Sequence, residues 1–214
     1  MTKKPLGKEA LLDAAETLIV ERGIEGASVG DIVRESGHRN RSALAYHFGT
    51  KDHLIRELAE RMVTGADEQR IEMLNSLEAG VAHPSMREIL VVTIAPMGQA
   101  LETEEGRRRL RLLAQLAVHP RFHGEVGHLI ASIEGIGRCA VHLVQRLNNL
   151  GPEIVAERIG LVSSFALRAF ADRALAIDDG ELLGSSSENQ YFTAAMTDLM
   201  LAMFTAPVTA RADL

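Results

Sequence analysis

Glycines at positions 23, 37 and 49 cut the first fifty residues into three short stretches, and each stretch carries apolar side chains at helical intervals. That spacing puts apolar groups on one face of a helix, and a glycine just past the last of them is a helix stop. Lys8 to Arg22 reads as a first helix with Leu11, Ala15, Leu18 and Ile19 on one face. A second starts at Ser28, where Ser28-Val29-Gly30-Asp31 has the spacing of a capping box, and runs through Ile32 and Val33 to Gly37. A third spans Arg41 to His47, with Asn40 as its N-cap. Leu44 and Phe48, four apart, share its inward face, so Ser42 and Tyr46 point roughly the opposite way. Three short helices, the last two joined by a tight glycine turn, form a helix-turn-helix pattern.

Beyond Gly49 the chain continues in helical periods. Thr50-Lys51-Asp52 opens a fourth, longer helix through Leu54, Leu58 and Met62. Five more are expected near 84–101, 105–118, 125–149, 152–177 and 189–205, bounded by Gly80 and Pro84, His119-Pro120, Gly151-Pro152, Asp178-Asp179-Gly180 and Pro207. The expectation is an all-α fold of about nine helices. The helix-turn-helix domain covers 1–54, and a larger helical domain covers 55–214. Apolar residues make up 46% of the 214 and aromatic ones 4%, so the core is aliphatic, as helix-on-helix packing favours.

The charge distribution decides what kind of DNA binder this can be. The net charge is −6, but residues 1–53 hold eight Lys/Arg and eight Asp/Glu and are neutral. Residues 34–51 are locally +3, from Arg34, Arg39, Arg41 and Lys51 against Glu35. A small basic face on an acidic body fits local docking and excludes general coating of DNA. A slim third helix can enter the major groove, about 12 Å wide. Arg39, Asn40, Arg41 and Ser42 cluster at its start and all donate hydrogen bonds; Arg reads guanine and Asn reads adenine. Lys51 is placed for a phosphate contact.

Taken together, Leu11-Leu12-Asp13-Ala14-Ala15-Glu16-Thr17-Leu18, Gly23, Ser28 to Ile32, Ser36-Gly37 and Tyr46-His47-Phe48-Gly49-Thr50-Lys51-Asp52-His53-Leu54 resemble the N-terminal domain of the TetR family over residues 8–55. His38-Arg39 stands where that family has an apolar residue after the turn glycine, the interval to Phe48 is one residue longer, and Ala45 replaces an aromatic. The resemblance carries over most directly to Tyr46, His47 and Lys51. It implies a homodimer packed through the last two helices, a ligand pocket in the larger domain, and release of a palindromic double-stranded operator when a small molecule changes the spacing of the recognition helices.

The expected DNA-contacting set is therefore Ser28, Arg39, Asn40, Arg41, Ser42, Tyr46, His47, Thr50 and Lys51. Met62, Met97, Leu113, Leu116, Phe122, His142 and Phe165 are candidates for lining a pocket that takes an apolar effector. Ile159, Val162, Phe170, Phe192, Met196, Leu199, Met200 and Met203 exceed what one buried face needs and are candidates for a dimer seam. Lys3, Lys4 and Lys8 read as a phosphate-touching arm or a solubilising tail. His119, His123 and His128 do not form a metal motif, because Pro120 interrupts the helix and no acidic or cysteine partner is near. Cys139 stands alone. No catalytic set or phosphate-binding glycine loop stands out, so the chain is read as neither an enzyme nor a cofactor carrier. With no signal peptide or apolar run of about 18 residues, a cytoplasmic location is expected. The rival readings are a DNA-independent interaction protein on the same fold and an all-α enzyme.

Overall fold

A computed structural model describes residues 7–40 and 42–208. Lys3, Lys4 and Arg41 lie outside the described residues. Eleven helices follow one another within them: α1 (Lys8–Gly26), α2 (Val29–Glu35), α3 (Ser42–Phe48), α4 (Lys51–Gly65), α5 (Asp67–Gly80), α6 (Met86–Ala100), α7 (Glu104–Val118), α8 (His123–Ser132), α9 (Glu134–Arg146), α10 (Pro152–Asp178) and α11 (Ser186–Thr205). No strand occurs among the described residues. The fold is all-α, as expected.

Local chemistry sets most helix boundaries. Ser28, Thr50 and Thr103 are N-caps whose hydroxyls accept from the backbone N–H of Asp31, His53 and Gly106. Ser85 with Glu88 and Ser185 with Glu188 form full capping boxes. α10 opens on Pro152, whose missing N–H costs nothing at that position. After α2, Gly37 takes φ +80°, and the bonds Gly37 N–H to Arg34 O and His38 N–H to Val33 O close a Schellman turn.

Two of the expected helices are each divided. The long fourth helix breaks at Ala66 into α4 and α5, and the expected 125–149 helix breaks at Ile133, which is extended (φ −78°, ψ 132°), into α8 and α9. The two breaks meet: Asp67, at the start of α5, accepts a hydrogen bond from Gly135 N–H at the start of α9. A tertiary contact 68 residues apart thus supplies the cap that local sequence lacks there.

The core falls into two clusters. The first joins α1 to α4 through Leu11, Leu18, Ile32, Leu44, Phe48, Leu54 and Leu58, and also takes in Leu112 and Leu116 of α7, Phe122, and Val126 of α8. The second holds α5, α6, α9, α10 and α11 together around Ile89, Leu143, Val162, Phe170, Met196 and Met200. The α7–α8 corner therefore belongs to the packing of the N-terminal helices; the ion pairs Arg56 with Glu125 and Arg121 with Asp52 flank it, and His119 Nε2 lies 3.5 Å from Glu25 Oε1.

Candidate nucleic-acid interface

α3 is anchored by its inward face. Leu44 is 2% exposed and Phe48 6%, both in the core that α1 to α4 share, while Tyr46 is 85% exposed. Burying two such apolar groups contributes several kcal/mol by area, roughly 1.5–3 each, and this fixes which face looks outward. Asn40 caps the helix: its Oδ1 accepts from Ser42 N–H at 3.0 Å and its carbonyl from Ala43 N–H at 3.0 Å. That leaves the Asn40 amide hydrogens unused by the cap. Arg39, Asn40, Ser42 and Tyr46 are exposed side by side with the thin Ala45, and His47 is half-buried. The His47 ring meets Tyr46 edge-on at 5.0 Å and His38 at 6.3 Å.

The turn is held by a short relay. Ser36 Oγ donates to Val33 O at 2.8 Å, which uses its only proton. The 2.8 Å bond to His38 therefore has His38 Nδ1–H as donor, and Nε2 is left without that proton in the neutral ring. His38, which departs from the family pattern, is thus fixed in orientation by the residue two before it.

The polar groups flanking α3 are committed to different degrees. Ser28 Oγ donates to the Asp31 carboxylate at 2.6 Å, and Arg34 pairs with the same carboxylate. The Ser28 hydroxyl first, then Arg34, lowers the Asp31 carboxyl below its ordinary range. Thr50 is exposed, and its oxygen accepts from His53 N–H at 3.2 Å, leaving its hydroxyl proton free to donate. Lys51 is half-buried, and its ammonium donates to the carbonyl of Ile24. Lys8 pairs with Glu57 and lies 5.5 Å over the Phe48 ring. The structure thus brings Arg39, Asn40, Ser42 and Tyr46 together on one exposed surface, with Thr50 at its edge.

The pocket candidates do not share one cavity. Met62, Leu116 and Phe122 are buried in the first core and Leu113 packs against it, whereas Met97 packs against the second. His142 Nε2 is 2.8 Å from Glu78 Oε1, on a carboxylate that also takes Arg138; the His142 bond first, then Arg138, lowers the Glu78 carboxyl. Phe165 is 38% exposed on α10. A groove of about 390 Å³ lies between α6 and α11, lined by Arg87, Gln99, Glu102, Asn189, Gln190 and Thr193 among others. Sequence reasoning missed it, although Asn189, Thr193 and Thr197 repeat every four residues along the helix, and that stripe is legible.

Among the seam candidates, Val162, Phe170, Met196 and Met200 are buried within the chain, and Ile159, Phe192 and Met203 are partly buried against the same core. Leu199 is 51% exposed. The apolar side chains that α10 and α11 turn outward also include Leu161, Phe165 and Tyr191.

Three short N-terminal helices carrying an outward-facing third helix, on a larger helical bundle, define a helix-turn-helix protein of two-core, all-α architecture. Residues 11–58, the N-terminal helical domain, match the profile of the bacterial regulatory proteins, tetR family. Solved structures share the fold along nearly the whole length. A protein of Shewanella sp. PV-4 assigned to the tetR family of transcription regulators is 19% identical, with a TM-score of 0.63 over 92% of this chain and 95% of that one. A transcriptional regulator from Rhodococcus sp. Rha1 is 20% identical, with a TM-score of 0.54 over 91% and 95%. A tetR-family protein of Mesorhizobium loti is 17% identical, with a TM-score of 0.53 over 91% and 95%. None of the curated proteins matches. No helix among the described residues is long and apolar enough to cross a membrane.

Proposed function

We propose that this protein is a sequence-specific DNA-binding regulator of transcription, acting as a homodimeric repressor that a small molecule bound in the larger helical domain releases from a palindromic operator. The observation that carries the DNA-binding reading is the opposed placement on α3: Leu44 and Phe48 lock the helix inward, and Ser42 and Tyr46 stand clear of the surface. A helix held that way enters a major groove without rearrangement. Arg39 and Asn40 at its start supply base-edge donors, together with Arg41. Thr50 supplies a free hydroxyl for a phosphate oxygen. Two such helices in a dimer read half-sites about 34 Å apart, so a small change in their separation prevents simultaneous docking.

The test is a selection of bound genomic fragments by the wild type and by the Tyr46→Ala variant. Enrichment of a palindrome by the wild type, lost in the variant, is the expected result. A folded, dimeric wild type that enriches no sequence overturns the reading in favour of a DNA-independent interaction protein.

A further inference from the structure

α6 and α11 lie antiparallel and are cross-linked at both ends of the groove between them. At one end Arg87 of α6 donates to Asp198 of α11, through Nη2 at 2.8 Å and Nε at 3.2 Å. At the other, Glu102, just past α6, accepts from Ser186 Oγ at 2.5 Å and from Asn189 Nδ2 at 3.4 Å. Between these links the helices touch where Gly98 meets Thr193: a Cβ on Gly98 would lie 2.5 Å from Thr193 Oγ1. The remaining walls of the groove, about 390 Å³ in volume, are short and aliphatic, among them Val91, Ala95 and Ala194.

Its polar groups are matched unequally. The Arg87 charge is met by Asp198. The Thr193 and Thr197 hydroxyls give their protons to Asn189 O at 2.8 Å and Thr193 O at 3.0 Å along their own helix, so each oxygen keeps only lone pairs. Asn189 and Thr197 are each 1% exposed although both line the groove, so part of its polar lining is held inside the chain. Glu102, by contrast, is exposed, receives two neutral donors and pairs with no cation among the described residues. Arg173 donates to Asn189 Oδ1 at 3.0 Å, but it sits 4.7 Å over the Phe192 ring and does not line the groove. The groove is thus rich in acceptors, with one uncompensated carboxylate at its end and small apolar walls leading away from it.

The geometry points to a binding site for a primary aliphatic amine, its ammonium on Glu102 and its chain along Gly98, Ala95 and Ala194. Charge decides the head group. An ammonium has three donors and no acceptor, whereas a carboxylate would face Glu102 and the threonine lone pairs. The walls decide the tail. Ala95 and Glu102 are seven residues apart. That is about 10 Å along a helix axis, the reach of a chain of about eight carbons. No aromatic side chain lines the groove to stack on a planar ring. α6 and α11 belong to the second core, away from α3, so the site does not depend on the DNA-binding reading.

The test titrates n-octylamine, n-octanol and n-octanoate against the full chain by calorimetry at pH 7, on the wild type, Glu102→Gln and Ala194→Leu, with thermal midpoints followed alongside. The first change keeps an acceptor for Ser186 and Asn189 and removes the charge. The second fills the groove from an exposed position. The expected result is one saturable octylamine site on the wild type, with a raised midpoint. Octanol and octanoate bind about tenfold more weakly or worse, and Glu102→Gln weakens octylamine by about tenfold or more while leaving octanol unchanged. Ala194→Leu abolishes amine binding in a protein that still folds. A folded wild type with no saturable octylamine binding overturns the inference. So does equal affinity for octanol or octanoate, which removes the role of the carboxylate. Octylamine binding undiminished in either variant also overturns it, because the amine then sits elsewhere on the chain.

Discussion

Asp67 and Arg70 form an ion pair at 2.5 Å with both side chains nearly removed from solvent, at 6% and 5% exposure. The other Asp67 oxygen accepts from Gly135 N–H at 2.8 Å, and Arg70 Nε donates to Thr93 O at 3.2 Å. Three helices, α5, α6 and α9, meet at this pair. A Cβ on Gly135 would lie 2.6 Å from Asp67 Oδ1, so only glycine allows the carboxylate this close.

Breaking that pair leaves an uncompensated buried charge. Arg70→Met is expected to lower the unfolding free energy by about 3–5 kcal/mol in urea titrations, because Asp67 then lacks its counter-charge. The double variant that also replaces Asp67 with Asn should lose less than the sum of the two single changes. Additive losses would show that the two side chains do not act as a unit.

Phe122 is 1% exposed and sits in the core that joins α1–α4 to α7 and α8. Phe122→Ala is expected to cost about 3–5 kcal/mol through lost burial and the cavity left behind. Protection from hydrogen exchange should drop in α4 and α8 together. Loss confined to α8 would count against the shared core.

Tyr46 makes the opposite prediction. At 85% exposure its removal should change stability by no more than about 0.5 kcal/mol, while operator affinity falls by roughly tenfold to a hundredfold. A Tyr46→Ala protein that is destabilised, or that binds the operator as the wild type does, would remove α3 from the recognition surface.

Acid should weaken the contact between α4 and α8 in a definable way. The Arg56 hydrogen bond, chiefly, holds the Glu125 carboxyl below its ordinary value. A carboxyl with a lowered folded pKa adds stability that is complete above the unfolded value, about 4.3 for Glu, and is lost as pH falls through the folded value. Wild type should therefore melt higher than Glu125→Gln at pH 7, with the gap closing below about pH 4. A gap that persists at pH 3 would assign the difference to packing.

Cys139 is 1% exposed, and burial raises its thiol above the ordinary range. It should resist alkylation in the folded protein and react stoichiometrically in denaturant. Rapid modification of the native chain would require local opening of α9.

The helix-turn-helix was legible because its determinants are local. Ser28, Asn40 and Thr50 cap as their spacing predicts, Gly37 ends α2, and Leu44 with Phe48 orients α3. Each of these rests on partners within a few residues, and the i, i+3 and i, i+4 geometry of a helix fixes them in any context. The tertiary structure decided the rest. Only folding shows that Lys51 meets Ile24 at a separation of 27 residues, that Asp67 caps the start of a helix 68 residues away, and that Phe122 fills the N-terminal core. On α10 and α11 the apolar surplus was readable, but not which part turns inward: Val162 and Phe170 do, while Leu161 and Phe165 do not. A helical repeat fixes which residues share a face, whereas the neighbour that covers the face is chosen by packing between segments distant in the chain.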